Sequence, residues 1–279
     1  EKAKKIVPDI SWYPDWGRAR IDGMLENSPD WCISRQRTWG VPITIFVNNS
    51  TGDIHPEMPR LIEIIASGVE KNGIEFWHEM DKKTLLGDQA KDYSKVSDTL
   101  DVWFDSGVTH AAVLDHREQL KFPADLYLEG SDQHRGWFQS SLKTSLALRD
   151  SSPYKAVMTH GFVVDAMGHK MSKSLGNVLP PQQIINDQGA DVLRLWVAAT
   201  DCSGEMTVSE EILKRTGDSY RRIRNTARFF LSNLDDFDPS EDLVAFDDML
   251  ELDIWALNLT ISLHKEILVA YDSYQLHHI

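Results

Sequence analysis

Lys170 and Lys173 lie three residues apart in the stretch Asp165-Ala-Met-Gly-His-Lys-Met-Ser-Lys-Ser-Leu-Gly-Asn-Val178. Each carries a compact charge on a flexible stem, which suits polyphosphate better than a planar carboxylate. Ser172 and Ser174 add hydroxyls between and beside them, while Gly168 and Gly176 let the backbone bend. Lysines so placed can neutralise negative charge on a phosphate group, a positioned effect of roughly 10²–10³-fold per donor. A second candidate is Glu129, followed by Gly130. A carboxylate at a strand end meets a substrate ammonium directly. Trp137, a few residues on, could wall an aliphatic pocket.

The elements that must carry these groups read as an α/β arrangement. The apolar run Ala156 to Val164 reads as a strand, and Pro180-Pro181 opens a helical pattern, so the lysines occupy a strand-to-helix loop. Thr159-His160-Gly161 sets His160 and Gly161 beside that loop as candidate phosphate-binding residues, with a hydrogen-bonded strand-end histidine as the plainer reading. Asp125 to Gly130 is another strand. Ser131 or Asp132 is expected to cap the helix after it, whose inner stripe is Phe138, Leu142 and Leu146. In a parallel sheet ligands lie beyond strand carboxyl ends, beside helix N-termini, which puts Glu129, Gly130, Asp132, Gln133 and His134 on the crevice. In Asp98 to Gly107, Leu100, Val102 and Phe104 alternate with Asp101, Trp103 and Asp105, the pattern of a strand ending in a Ser-Gly turn.

The rest of the chain frames this core. Residues 1–30 are poorly periodic and read as a linker and helix; Trp31 to Ile43 looks like a strand followed by a charged turn. A small insertion spans about 44–97, with a strand at Thr44 to Val47, a turn at Asn48 to Asp53, a helix at Met58 to Glu70, and a charged helical or irregular stretch to its end. Pro181 to Gln188 and Ala190 to Thr200 are helices broken at Gly189, with Leu193, Trp196 and Val197 in the core. Strands are expected to stop at Asp201 to Gly204, and long helical patterns at 207–234 and 247–279 begin an all-α domain. The domains expected are thus a linker (1–30), a catalytic domain (31–205) and a helical domain (206–279).

A net charge of −14 disfavours nucleic acid as a partner over the whole surface, yet Lys214, Arg215, Arg221, Arg222, Arg224 and Arg228 cluster with Asp218 as the lone acid among them. That helix face is either solvated or a nucleic-acid contact through Arg221, Arg222 and Arg224. No run approaches the roughly 20 apolar residues of a membrane helix, and a cytoplasmic monomer is expected. Cys32 and Cys202 lack partners at ligand spacing; both read as buried thiols, with neither zinc nor a disulfide indicated.

Lys170-Met-Ser-Lys-Ser174 matches the five-residue signature of class I aminoacyl-tRNA synthetases, and its flanks Gly161-Phe162-Val163 and Leu175-Gly176-Asn177 resemble that family too. Trp31-Cys-Ile-Ser-Arg-Gln36 is similar to a segment shared by the isoleucine and valine branches, where the chain re-enters the catalytic domain. Leu128 to Leu142 resembles the isoleucine branch in particular. The resemblance implies a Rossmann-like parallel sheet followed by a helical anticodon-binding domain. It implies ATP with Mg2+, isoleucine and tRNA(Ile) as partners, joined by an isoleucine–tRNA ligase reaction. It further implies that Lys173 contacts ATP, Glu129 contacts the aminoacyl adenylate and Trp103 borders the amino-acid pocket. The family's His-Ile-Gly-His-type tetrapeptide is missing, so the chain is expected to be an internal segment with little activity alone. A valine-type synthetase, a nucleotidyltransferase of similar fold and a non-catalytic RNA-binding fragment are the alternatives.

Overall fold

The computed structural model describes residues 1–28 and 30–279, and Pro29, within the expected linker, lies outside the described residues. The chain divides into two compact units, one formed by residues 1–127 and 132–157 and the other by 128–131 and 158–279.

In the first unit the N-terminal stretch is more than a linker. Helix α1 (Lys2–Ile6), strand β1 (Ser11–Tyr13) and helix α2 (Trp16–Glu26) bring Val7, Ile10, Trp12 and Ile21 into the core. Three residues are too short a strand for periodicity to announce, but Trp12 is buried and its indole N–H donates to the Val7 carbonyl at 3.2 Å. The strand-like entry at Trp31 shrinks to β2 (Ser34–Arg35). In the insertion, β3 (Phe46–Asn48) is followed by a turn in which the Asn48 side chain accepts from the Ser50 and Thr51 amides, as its residue types require. Helices α3 (Met58–Asn72), α4 (Glu75–Glu79) and α5 (Lys82–Leu86) come next, then β4 (Tyr93–Lys95), a strand hidden in the charged stretch. β4 pairs antiparallel with β3, Phe46 opposite Lys95, over a core of Phe46, Leu61, Ile65 and Trp77.

A larger correction falls on Asp98 to Gly107. The strand β5 (Thr99–Leu100) stops after two residues, pairing antiparallel with β2, and Val102–Gly107 is a helix, α6. Asp101 turns the chain because its carboxylate accepts from the Trp103 amide at 3.2 Å and caps α6, which outweighs the apolar alternation. After α7 (Thr109–Ala112), strand β6 (Ala124–Gly130) leads into a 3-10 turn at Ser131–His134. Asp132 therefore does not cap the following helix: α8 (Trp137–Arg149) starts later, at Gly136, with Phe138, Leu142 and Leu146 buried as the stripe indicates. The strand β7 (Tyr154–His160) completes a parallel sheet in the order β1-β7-β6.

In the second unit the apolar run after β7 breaks at Gly161 and resumes as β8 (Val163–Val164). Helices α9 (Pro181–Gln188) and α10 (Ala190–Ala198) separate at Gly189, whose φ of 92° favours glycine. Trp196 is buried as expected, but Val197 is 49% exposed and Val192 takes the inner position. Strands also continue past Gly204: β9 (Met206–Thr207) pairs in parallel with β8, Val163 opposite Met206. The long helices α11 (Glu210–Asn233) and α12 (Glu251–Asp272) follow. Ile184, Trp196, Met206, Val208 and Leu213 form this unit's core.

Candidate functional site

In the first unit, Asp101 organises the aromatic side of the site. Beyond capping α6, its Oδ2 accepts from Trp31 Nε1 at 2.9 Å and from the Arg35 guanidinium at 2.6 Å. At 5% exposure this carboxylate is buried, and a buried charge persists only when paired and hydrogen-bonded as this one is. Asp105, one turn on, has its carboxyl pushed up by burial and then by the nearby Asp101 charge. Trp103 emerges at the start of α6 with 41% of its surface exposed. It borders a cavity of about 680 Å³ together with Trp31, Met24, Arg135, Gly136 and Lys143. A Cβ at Gly136 would lie 2.8 Å from the Trp103 ring and 2.7 Å from Gln133 Oε1, so both side chains would have to shift to admit one. Lys143 donates to Ser28 Oγ at 2.6 Å, and burial lowers its ammonium from the ordinary lysine range.

Gln133 and Trp137 meet at the start of α8, where Gln133 Oε1 accepts from the Trp137 amide at 3.0 Å. The Trp137 indole stacks on Tyr127 at 4.0 Å between centroids and donates to the Ser106 carbonyl at 2.9 Å. It is fixed, half-buried, and not among the residues lining the cavity that Trp103 borders. Asp132 is exposed. Cys32 corrects the expectation of a buried thiol: it is exposed, and hydrogen bonding by Ser34 lowers its pKa.

In the second unit, Glu129 is exposed just before the buried Gly130 at the end of β6. His160 Nδ1 donates to the Gly161 carbonyl at 2.8 Å, the hydrogen-bonded strand-end histidine. Gly161 admits no side chain, since a Cβ would overlap the Gly204 backbone carbonyl, and its own amide donates to the Cys202 carbonyl at 3.0 Å.

The lysine loop follows. Lys170 bridges antiparallel to Val164, and its ammonium lies 4.2 Å from the centroid of the Phe162 ring, a cation–π contact. The Ser172 and Ser174 hydroxyls lie 3.1 Å apart. Lys173 is exposed, and its ammonium has no hydrogen-bond or ion-pair partner among the described residues. Two residues outside the expected set, Asp165 and Asn177, hold the loop at its ends: Asn177 Nδ2 donates to Asp165 Oδ2 at 2.9 Å. The signal available in the sequence is two turn-forming side chains flanking a glycine-containing loop.

On α11, Arg221 pairs with Asp218 and Arg215 with Glu211, whereas Arg222 and Arg224 are exposed. Among the described residues no group of His, Cys, Asp and Glu is arranged to hold a metal ion, and no helix is long and apolar enough to cross a membrane.

Residues 1–209 match the family described as tRNA synthetases class I (I, L, M and V). The isoleucine–tRNA ligase of Saccharophagus degradans is 64% identical over 276 residues, covering 99% of this chain and 30% of that protein. That of Teredinibacter turnerae is 61% identical over 277 residues, with the same coverage of 99% and 30%. The chain thus spans about 30% of the length of the curated relatives it matches. Among solved structures, the ternary complex of Agrobacterium radiobacter K84 agnB2 LeuRS, tRNA and LeuAMS has a TM-score of 0.65 at 22% identity, covering 92% of this chain and 36% of that one. Mycobacterium tuberculosis methionyl-tRNA synthetase in complex with methionyl-adenylate has a TM-score of 0.63 at 19% identity, covering 97% and 45%. Likenesses at that identity establish the Rossmann-like fold.

Proposed function

We propose, from the premise that this chain belongs to the class I tRNA synthetases, that it is the ATP-handling part of an isoleucine–tRNA ligase. The observation that carries the reading is identity of 64% to a relative bearing that name, maintained over 99% of the chain. Isoleucine supplies a carboxylate that is already nucleophilic, so positioning does most of the work. Its oxygen attacks the α-phosphorus of ATP, the bond to the bridging oxygen breaks, and pyrophosphate departs with the electron pair. Lys170 and Lys173 neutralise the charge that gathers on it, with Ser172, Ser174, His160 and Gly161 lining the phosphate path. ATP enters as its magnesium complex, a cation that keeps most of its ligands as phosphate and water oxygens.

Glu129 binds the substrate ammonium, and Gly130, Asp132, Gln133, Trp103 and Trp137 contribute to binding of the aminoacyl adenylate. A ribose hydroxyl at the 3′ end of tRNA(Ile) then attacks the acyl carbonyl and AMP leaves. Arg221, Arg222 and Arg224 contribute phosphate contacts, and residues 206–279 begin the anticodon-binding domain of a cytoplasmic monomer. The test is ATP–pyrophosphate exchange by the full-length protein with isoleucine, valine, leucine and methionine in turn. Exchange is expected to be fastest with isoleucine; equal or faster exchange with another amino acid, or none, overturns the reading.

A further inference from the structure

Asp165 opens the lysine loop and Asn177 closes it, 12 residues later, and between them they make four hydrogen bonds of 2.9 Å. Asp165 Oδ1 accepts from the backbone amides of Met167 and His169, and its Oδ2 accepts from Asn177 Nδ2. Asn177 Oδ1 accepts from the backbone amide of Ser172. The amides anchored at His169 and Ser172 belong to the residues immediately before Lys170 and Lys173. Each lysine therefore leaves the chain next to a fixed point.

An acid within a loop that receives a triphosphate is a liability unless it does something for the cations. Asp165 repels the anion. Its carboxyl is nevertheless held below the usual carboxylate range, by the Asn177 amide first and the His169 amide next, so it stays ionised at neutral pH. Its side chain is 23% exposed, placing the charge at the loop's base and out of full contact with solvent.

We propose that Asp165 and Asn177 are positioning residues, a carboxylate–carboxamide clasp that fixes where Lys170 and Lys173 meet the phosphates of ATP. The role in catalysis rests on the function proposed above, whereas the clasp itself is a property of the loop. It predicts that the two side chains can be exchanged. In Asp165→Asn alone, amide would face amide; in Asn177→Asp alone, carboxylate would face carboxylate. In the double variant each of the four bonds can re-form with the side-chain donor reversed: the carboxamide now at position 165 donates to the carboxylate now at position 177, and the backbone amides keep their acceptors.

Two readouts on the full-length protein decide this. Hydrogen exchange at the Met167, His169 and Ser172 amides should quicken on the order of tenfold in each single variant and slow again in the double. KM for ATP in isoleucine-dependent pyrophosphate exchange should rise by a similar roughly tenfold factor in the singles and return to within about threefold in the double, with KM for isoleucine unmoved. A double variant no better than its worse single, or singles that exchange like the parent, overturns the clasp. Restored amide protection with an unchanged KM for ATP overturns the positioning role and leaves a purely structural turn. If the parent shows no isoleucine-dependent exchange, the functional reading and with it the positioning role fail, while hydrogen exchange still decides the clasp.

Discussion

Asp101 and Asp165 do similar work in different surroundings. Each accepts from a backbone amide two residues on and from a side chain far along or across the chain. Asp101 is buried, tied to Arg35 and Trp31, and presents a flat indole on a helix; Asp165 is partly exposed, tied to a neutral carboxamide, and presents two flexible ammonium groups on a loop. On the proposed function, the difference follows what each region has to recognise. An aliphatic side chain is told apart by shape, which needs walls that do not give. A triphosphate is met by charge, which tolerates adjustment and gains from a loop that can close on it.

The contrast can be broken most forcefully at its buried end. Asp101→Ala leaves the Arg35 guanidinium and the Trp31 indole N–H unpaired and removes the cap of α6, so it is expected to lose about 3 kcal/mol of stability in denaturant unfolding. Asp165→Ala, at the partly exposed end, should cost about 1 kcal/mol or less in the same measurement. Gly161→Ala, between β7 and the lysine loop, forces a methyl onto the Gly204 carbonyl and is expected to cost about 1–3 kcal/mol, with β8 and β9 exchanging their amides faster. The smallest effect concerns pH. Because the Asp165 carboxyl is lowered in the folded chain, its stabilisation is present above the unfolded-state value of about 3.9 and disappears as pH falls through the lower folded value. Protection of the loop amides, corrected for intrinsic exchange, should therefore stay level from neutral pH to about pH 4 and fall below it.

How much of this is legible in the sequence depends on length and on charge. The lysine signature, the helix pair split at Gly189 and the stripe Phe138, Leu142, Leu146 are readable because each is either a chemical string or a repeat over several turns. Trp12 is not, since a three-residue strand leaves no period to detect, and the core membership of the first 26 residues is hidden with it. The alternation of Leu100, Val102 and Phe104 points to a strand, but Val102 is 67% exposed and a single capping acid decides the matter. Val197 falls off the buried side because the inner face of α10 runs through Val192 and Trp196. The Asp165–Asn177 bond joins residues 12 apart with no periodic signature, so their pairing appears only in the folded loop.

The division of labour is tested most directly by comparing Lys173→Ala with Glu129→Ala in isoleucine-dependent pyrophosphate exchange by the full-length protein. Lys173→Ala should lower kcat by roughly 10²-fold with KM for isoleucine unchanged, while Glu129→Ala should raise KM for isoleucine on the order of tenfold or more and leave KM for ATP alone. Parent-like activity in either variant, or the two patterns interchanged, would contradict the account.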